Sequence, residues 1–138
     1  LQALEIPFYS QRPLVQLMIS GVFERHPDLK YVTTELGAAW VPELHRRLKV
    51  TYGKTPQLFK RDPIESFREH VWVAPFYEDT ITKLRDVHGA DRILLGSDWP
   101  HPEGLSEPRK WIGDFVELGP DDMRLALRDN QLSLTPVR

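Results

Sequence analysis

The stretch Arg92-Ile93-Leu94-Leu95-Gly96-Ser97-Asp98-Trp99-Pro100 decides the fold. Its first half is a short apolar strand that runs directly into Asp98, and Pro100 and Pro102 break the chain immediately afterwards. An ionised carboxylate at the mouth of an apolar strand is costly unless a metal, a cation or hydrogen-bond donors meet it. Asp98 is therefore the leading candidate for chemistry, with a helix or turn cap as its plain structural alternative.

Working upstream, Thr80 through His88 reads as a helix closed by Gly89, and Val71 through Phe76 as a strand. Residues 52–68 carry Pro56 and Pro63 among several cations and read as a polar connection with a short helix around Ile64 to Glu69. Trp40, Val41, Leu44 and Leu48 form a helical stripe that stops near Gly53, with His45, Arg46, Arg47 and Lys49 on the remaining surface. Lys30 through Leu36 is a strand carrying Glu35 at its C-terminal end, and Leu14, Val15, Met18, Ile19, Val22 and Phe23 line one face of a helix from Arg12 to Glu24. Downstream, Ser106 or Glu107 caps a helix with Pro108 in its first turn and Trp111, Ile112, Phe115 and Leu118 as its stripe. Gly119-Pro120 separates it from a final helix starting near Asp121, and residues 131–138 read as a frayed tail.

The alternation of about three strands with flanking helices is the pattern of an α/β chain with a parallel sheet. Right-handed crossovers bring every strand C-terminus to one edge, so Glu35, Phe76 and Asp98 are expected together at the end where α/β enzymes keep their chemistry. Glu35 can be an acid/base group there or a surface carboxylate paired with an arginine. Of five histidines, only His101 falls on that edge, as a substrate contact or a loop-shaping residue. His26, His45 and His88 read as structural, and His70 lies at the opposite face. Trp99 flanks Asp98 and is expected to line a pocket, while Trp40, Trp72 and Trp111 read as core.

Composition excludes other classes. With 18 basic against 20 acidic residues and a formal charge of −2, nucleic-acid and membrane-surface partners lose support. No stretch reaches the roughly 20 apolar residues of a membrane span. There is no cysteine, which removes disulfides, thiolate nucleophiles and cysteine-ligated zinc and is compatible with a cytoplasmic setting. No Walker loop, dinucleotide fingerprint, nucleophile elbow or zincin helix occurs. The 138 residues make a single domain or part of one, well short of the roughly 250 of a complete (β/α)₈ barrel. Leu1, with no leader pattern behind it, reads as an interior start.

Three blocks carry a family likeness: Gly21 through Lys30 (GVFERHPDLK), Thr34 through Pro42 (TELGAAWVP) and Gly96 through Gly104 (GSDWPHPEG). Together and in this order they resemble the amidohydrolase-related family, in the branch of the aminocarboxymuconate semialdehyde decarboxylase-like enzymes. The resemblance implies the C-terminal part of a TIM-like (β/α)₈ barrel, a single partial domain over residues 1–138. It also implies a divalent metal, zinc or a comparable ion, held in the intact enzyme by an N-terminal His-x-His motif, a later histidine and the aspartate that ends the last strand. Asp98 matches that aspartate, as metal ligand and acid/base group. Glu35 stands where related decarboxylases carry a catalytic histidine, which favours a metal-dependent hydrolase acting on a small carboxylate-bearing or cyclic substrate, with decarboxylase or hydratase chemistry as the alternative. Without the histidine motif, this chain alone is expected to bind metal weakly or not at all. The rival expectation is a catalytically silent half-barrel whose open sheet edges associate with another copy or an N-terminal piece.

Overall fold

A computed structural model describes residues 2–76, 80–101, 104 and 106–135, and for residues 2–4, 7, 111, 114 and 115 the backbone only. The chain opens with α1 (Gln2–Ile19) and α2 (Val22–Arg25) in place of the single helix expected from Arg12 to Glu24. The break is Gly21, at φ 68° and ψ 33°, a left-handed conformation that glycine adopts without a β-carbon penalty. α1 also extends back through Pro7 and Pro13, each of which leaves one backbone bond unmade.

β1 (Tyr31–Thr33) pairs in parallel with β2 (Val71–Val73), in the register Tyr31 to Val71, Val32 to Trp72 and Thr33 to Val73. Between them run α3 (Trp40–Lys54) and α4 (Pro63–His70). α4 begins where Asp62 accepts a hydrogen bond from the Ile64 amide at 2.8 Å, with Pro63 in the first turn, and is the short helix the sequence allowed. α5 (Ile81–His88) ends at Gly89, whose φ is 98° and whose amide bonds the Arg85 carbonyl. The parallel α/β arrangement is thus present, but the expected third strand shrinks to one bridge between Val73 and Ile93. The Leu94 amide still reaches the Val73 carbonyl at 2.9 Å, and on the other side of the segment the Leu95 amide bonds the Ala126 carbonyl at 3.1 Å.

The two faces of the sheet differ. Tyr31, Val71, Val73 and Ile93 pack into the main core with Leu14 and Met18 of α1, Phe23 of α2, Trp40 and Leu44 of α3, Phe67 of α4 and Leu84 of α5. The opposite face carries Trp72, Ala74 and Leu94, with Leu134 packed against them. Two cations lie over the Trp72 ring, the Lys30 ammonium 5.1 Å and the Arg92 guanidinium 4.5 Å from its centre. Trp40 and Trp72 are core residues, as expected, and the side chains of Trp111 and Phe115 lie outside the described residues.

Three further expectations are corrected. His45 is not on the surface of α3 but buried, its ring edge-on to Phe67 at 4.5 Å, because it follows Leu44 onto the flank of the apolar stripe. Pro108–Leu118 winds as a 3₁₀ helix rather than an α-helix, with Gly113 weakening helix formation at its middle. The segment taken for a frayed tail begins as helix. α6 (Pro120–Arg124) continues through a π-helical turn, Leu125–Asp129, into α7 (Asn130–Leu134), and residues 136–138 lie outside the described residues. What anchors α7 is Asn130, buried and donating to the Ala90 and Ile93 carbonyls at 2.8 Å each.

Candidate active site

Because β1, β2 and the bridge at Ile93 run parallel, the segments that follow them leave the sheet at the same edge. Glu35 follows β1 there, and Asp98 follows the Ile93 segment. These are the two non-glycine residues with positive φ among the described residues, Glu35 at 57° and Asp98 at 56°. A left-handed conformation costs an L-residue about 1–2 kcal/mol, and aspartate tolerates it better than glutamate. Strain of this kind clusters at functional positions, where the surroundings hold it in place. The two acids singled out from the sequence are the two that the fold strains.

A tight turn holds Asp98. Its carbonyl accepts from the His101 amide at 2.8 Å, and the His101 carbonyl accepts from the Gly104 amide at 2.9 Å. Gly104 packs so closely that a β-carbon there would stand 2.7 Å from the Asp98 carbonyl carbon. Upstream, Ser97 Oγ accepts from the Trp99 amide at 3.3 Å. The result places His101 Nδ1 at 3.3 Å from Asp98 Oδ2, an i,i+3 pair whose side chains are 57% and 31% exposed. The carboxylate is thus half-sheltered with one oxygen matched to an imidazole. Trp99, expected to line a pocket, stands outward and is 66% exposed. Glu35 is exposed at the same edge, with Gly37 in a left-handed turn just after it and the Gly37 carbonyl accepting from the Trp40 indole at 2.9 Å. Pro102 and Glu103 lie outside the described residues.

Sequence reasoning passed over the cleft beside this edge. A cavity of about 410 Å³ opens on the Trp72 face, walled by Val32, Ala74, Leu94 and Gly96, with Lys30, Thr34, Gln131 and Thr135 among its polar members. The signal was available in the alternation of the first strand, which sets Val32 and Thr34 on the face opposite Tyr31 and Thr33.

The buried histidines belong to the scaffold. His70 stacks on Phe23 at 4.4 Å, and its Nδ1 lies 2.9 Å from the Leu29 carbonyl. His88 Nε2 lies 3.0 Å from the Val71 carbonyl. Burial, reinforced by the nearby Arg68 charge, holds His45 down to about 4. Burial followed by the His45, Arg92 and Arg68 charges holds His88 down to about 3, against the opposing effect of the Val71 hydrogen bond.

A family model for the amidohydrolases matches residues 1–131. The chain belongs to the amidohydrolase family. Gamma-resorcylate decarboxylase of Rhodococcus jostii (strain RHA1) is 26% identical over 127 residues, 87% of this chain and 38% of that protein. The enzyme of the same name from Rhizobium radiobacter is 27% identical over 124 residues, covering 80% of this chain and 37% of the relative. Among solved structures, an amidohydrolase from Mycobacterium avium subsp. paratuberculosis K-10 superposes with a TM-score of 0.89 and 41% identity over 96% of this chain and 35% of that one. The 5-carboxyvanillate decarboxylase from Sphingomonas paucimobilis shares the fold, with a TM-score of 0.71 at 21% identity over 90% of this chain and 38% of its own. The chain spans little more than a third of each of these amidohydrolase relatives.

Members of this family commonly use a divalent metal. Among the described residues no three His, Asp or Glu side chains come together as a metal site. Asp98 offers one hard oxygen donor, whereas a catalytic ion takes three protein ligands or more. The donor set among the described residues does not complete such a site. Among the described residues no helix is long and apolar enough to cross a membrane.

Proposed function

We propose that the chain forms the C-terminal part of an amidohydrolase-type (β/α) barrel whose enzyme acts on a small carboxylate-bearing or cyclic substrate in the cytoplasm. Asp98 is its acid/base group and one ligand of a divalent ion, zinc or similar; Glu35 is a second acid/base or substrate-orienting group; and His101 and Trp99 stand at the substrate entrance. The observation that carries this reading is the coincidence of strain and charge at one sheet edge: among the described residues both left-handed non-glycine residues are carboxylates that follow parallel segments. For chemistry, a half-sheltered carboxylate matched on one oxygen by an imidazole can hold or pass a proton at its other oxygen. When bound, the metal would supply Lewis-acid activation. Hydrolysis of a cyclic or amide bond suits two acids at one rim. The relatives named as decarboxylases of aromatic acids favour loss of carbon dioxide from a carboxylated ring as the competing reaction.

The test grafts this chain in place of the matching third of the mycobacterial amidohydrolase and measures bound divalent metal by mass spectrometry. Product assays on hydroxybenzoates and on small lactones or amides run in parallel. The proposal expects about one ion per chimera and its loss, together with turnover, in Asp98→Asn. Full metal content and full activity in that variant would refute it. The product released, carbon dioxide or a ring-opened acid, chooses between the two reactions.

A second reading rests on the β1 edge, where Val32 remains 42% exposed and β2 is the bonded neighbour. On it the chain alone is catalytically silent and adds an N-terminal piece or another copy along that edge.

A further inference from the structure

The segment that leads to Asp98 is held along both of its edges. On the edge facing β2, the Leu94 amide bonds the Val73 carbonyl at 2.9 Å. The backbone at Ile93 is extended, at φ −97° and ψ 135°, so residues 93 and 95 turn their backbone groups to the opposite edge. There the Asn130 side-chain amide donates to the Ile93 carbonyl at 2.8 Å, and the Ala126 carbonyl accepts from the Leu95 amide at 3.1 Å. An acceptor and a donor that a neighbouring strand would satisfy are met here by a helical segment.

Two features fit that segment to the edge. Asn130 is 4% exposed, and the two hydrogens of its amide nitrogen find two acceptors at 2.8 Å each, the Ala90 carbonyl where the segment begins and the Ile93 carbonyl within it. Asn130 also closes the π-helical turn Leu125–Asp129, its backbone amide reaching the Leu125 carbonyl five residues back. Such turns interrupt α-helices mostly as single units, frequently at functional sites. This one brings the Ala126 carbonyl and the Asn130 side chain to the same edge.

The consequence falls on Asp98. Among the described residues the Leu95 amide is the last before Asp98 to bond another part of the chain; the later bonds, from the Trp99, His101 and Gly104 amides, close the turn on itself. Three extended residues, about 10 Å, separate the two positions. Gly96 brings no side chain to steady that stretch, and a β-carbon there would meet nothing within 4 Å. A tilt of the segment at Leu95 therefore passes to the carboxylate. We propose that Asn130 is a positioning residue for Asp98: together with the Ala126 carbonyl it clamps the edge away from β2, so that the C-terminal helices set where the acid stands at the rim. The clamp follows from the hydrogen bonds alone, whereas its effect on turnover rests on the acid/base role proposed for Asp98.

The experiment is amide hydrogen exchange on the full chain, resolved by residue with nuclear magnetic resonance, for the wild type, Asn130→Ala and Asn130→Ser. In Asn130→Ala the Leu95, His101 and Gly104 amides should exchange about tenfold faster or more, while the Ala74 amide, which bonds the Thr33 carbonyl between the two strands, changes by less than about twofold. Asn130→Ser, whose one hydroxyl proton can serve one of the two carbonyls, should fall between; it carries the same comparison if the alanine variant does not fold. Loss of protection confined to α7, loss spread evenly over the sheet, or turn amides already unprotected in the wild type would each overturn the inference. In the chimera with the mycobacterial amidohydrolase, Asn130→Ala should lower kcat by about 10- to 100-fold with KM little changed, and Asn130→Ser should recover part of the loss. An unchanged kcat overturns the inference as well. A wild-type chimera without turnover refutes the acid/base reading instead, and the amides of the full chain then decide the clamp.

Discussion

Lowering the pH from about 7.5 to about 5 should destabilise this protein through two buried histidines, well before its carboxylates titrate. His45 and His88 are 8% and 2% exposed, their ring centres lie 5.9 Å apart, and Phe67 meets both edge-on at 4.5 and 4.8 Å. His45 Nε2 and His88 Nδ1 are buried without a hydrogen-bond partner. A proton added to either ring would face Arg68, with Arg92 also bearing on His88. With folded values near 4 and 3 against about 6.5 in the unfolded chain, the unfolded state takes up protons first. Stability is therefore complete above about pH 6.5 and declines as the pH falls toward the folded values. At pH 5 each ring accounts for about 2 kcal/mol, and the two together for about 4 kcal/mol if they act independently. Against a typical 5–15 kcal/mol for a domain, this is a large fraction. Glu43 and Glu69, held below the ordinary carboxylate range by hydrogen bonds from Arg46 and Arg61, lose their contribution only in more acid solution. The assay is urea unfolding followed by circular dichroism at several pH values, comparing the wild type with His45→Leu, which removes one titrating ring and one unpaired nitrogen. The variant should lose about half as much stability as the wild type between pH 7.5 and 5. A wild type whose stability is flat over that interval, or a variant that falls as steeply, would refute the reasoning.

Gly104→Ala should cost about 1–3 kcal/mol, because its methyl group would overlap the Asp98 carbonyl and force the turn to shift; unchanged urea unfolding would show that the turn is looser than described. Asn130→Ala leaves the Ala90 and Ile93 carbonyls without their donor and should cost roughly 2–4 kcal/mol, with α7 the first element to exchange its amides in hydrogen-exchange measurements. Equal protection of α7 in both proteins would count against that anchor.

Asp98 and Glu35 were legible because each follows a short apolar or β-branched run, and parallel strands carry their C-termini to one edge whatever the details of packing. The left-handed backbone at Glu35 was not, since nothing in a glutamate announces positive φ; the glycine at 37 gave the only local hint of a turn. The parallel alternation could be read from residues, yet the early end of the third strand could not. Nor could the tie between this segment and the C-terminal helices, where the Leu95 amide bonds the Ala126 carbonyl from 31 residues away in number. His45 misled for a related reason: Arg46 and Arg47 beside it look like surface, and only the packing of Phe67 from α4 shows that the flank of the stripe is covered. Pro7 and Pro13 hid the start of α1, because helix-breaking propensity weighs more in a sequence than the tertiary contacts of Leu14 and Met18 that outweigh it in the fold.

The backbone at positions 35 and 98 has a consequence for how the protein tolerates change. Glycine would occupy either conformation with less strain, so trading each acid for glycine should relieve about 1–2 kcal/mol there, less what glycine's freedom in the unfolded chain gives back. A sequence chosen for durability alone would place glycine at both positions. Keeping a carboxylate at each leaves the molecule a little less robust than it need be, in return for negative charge at the rim.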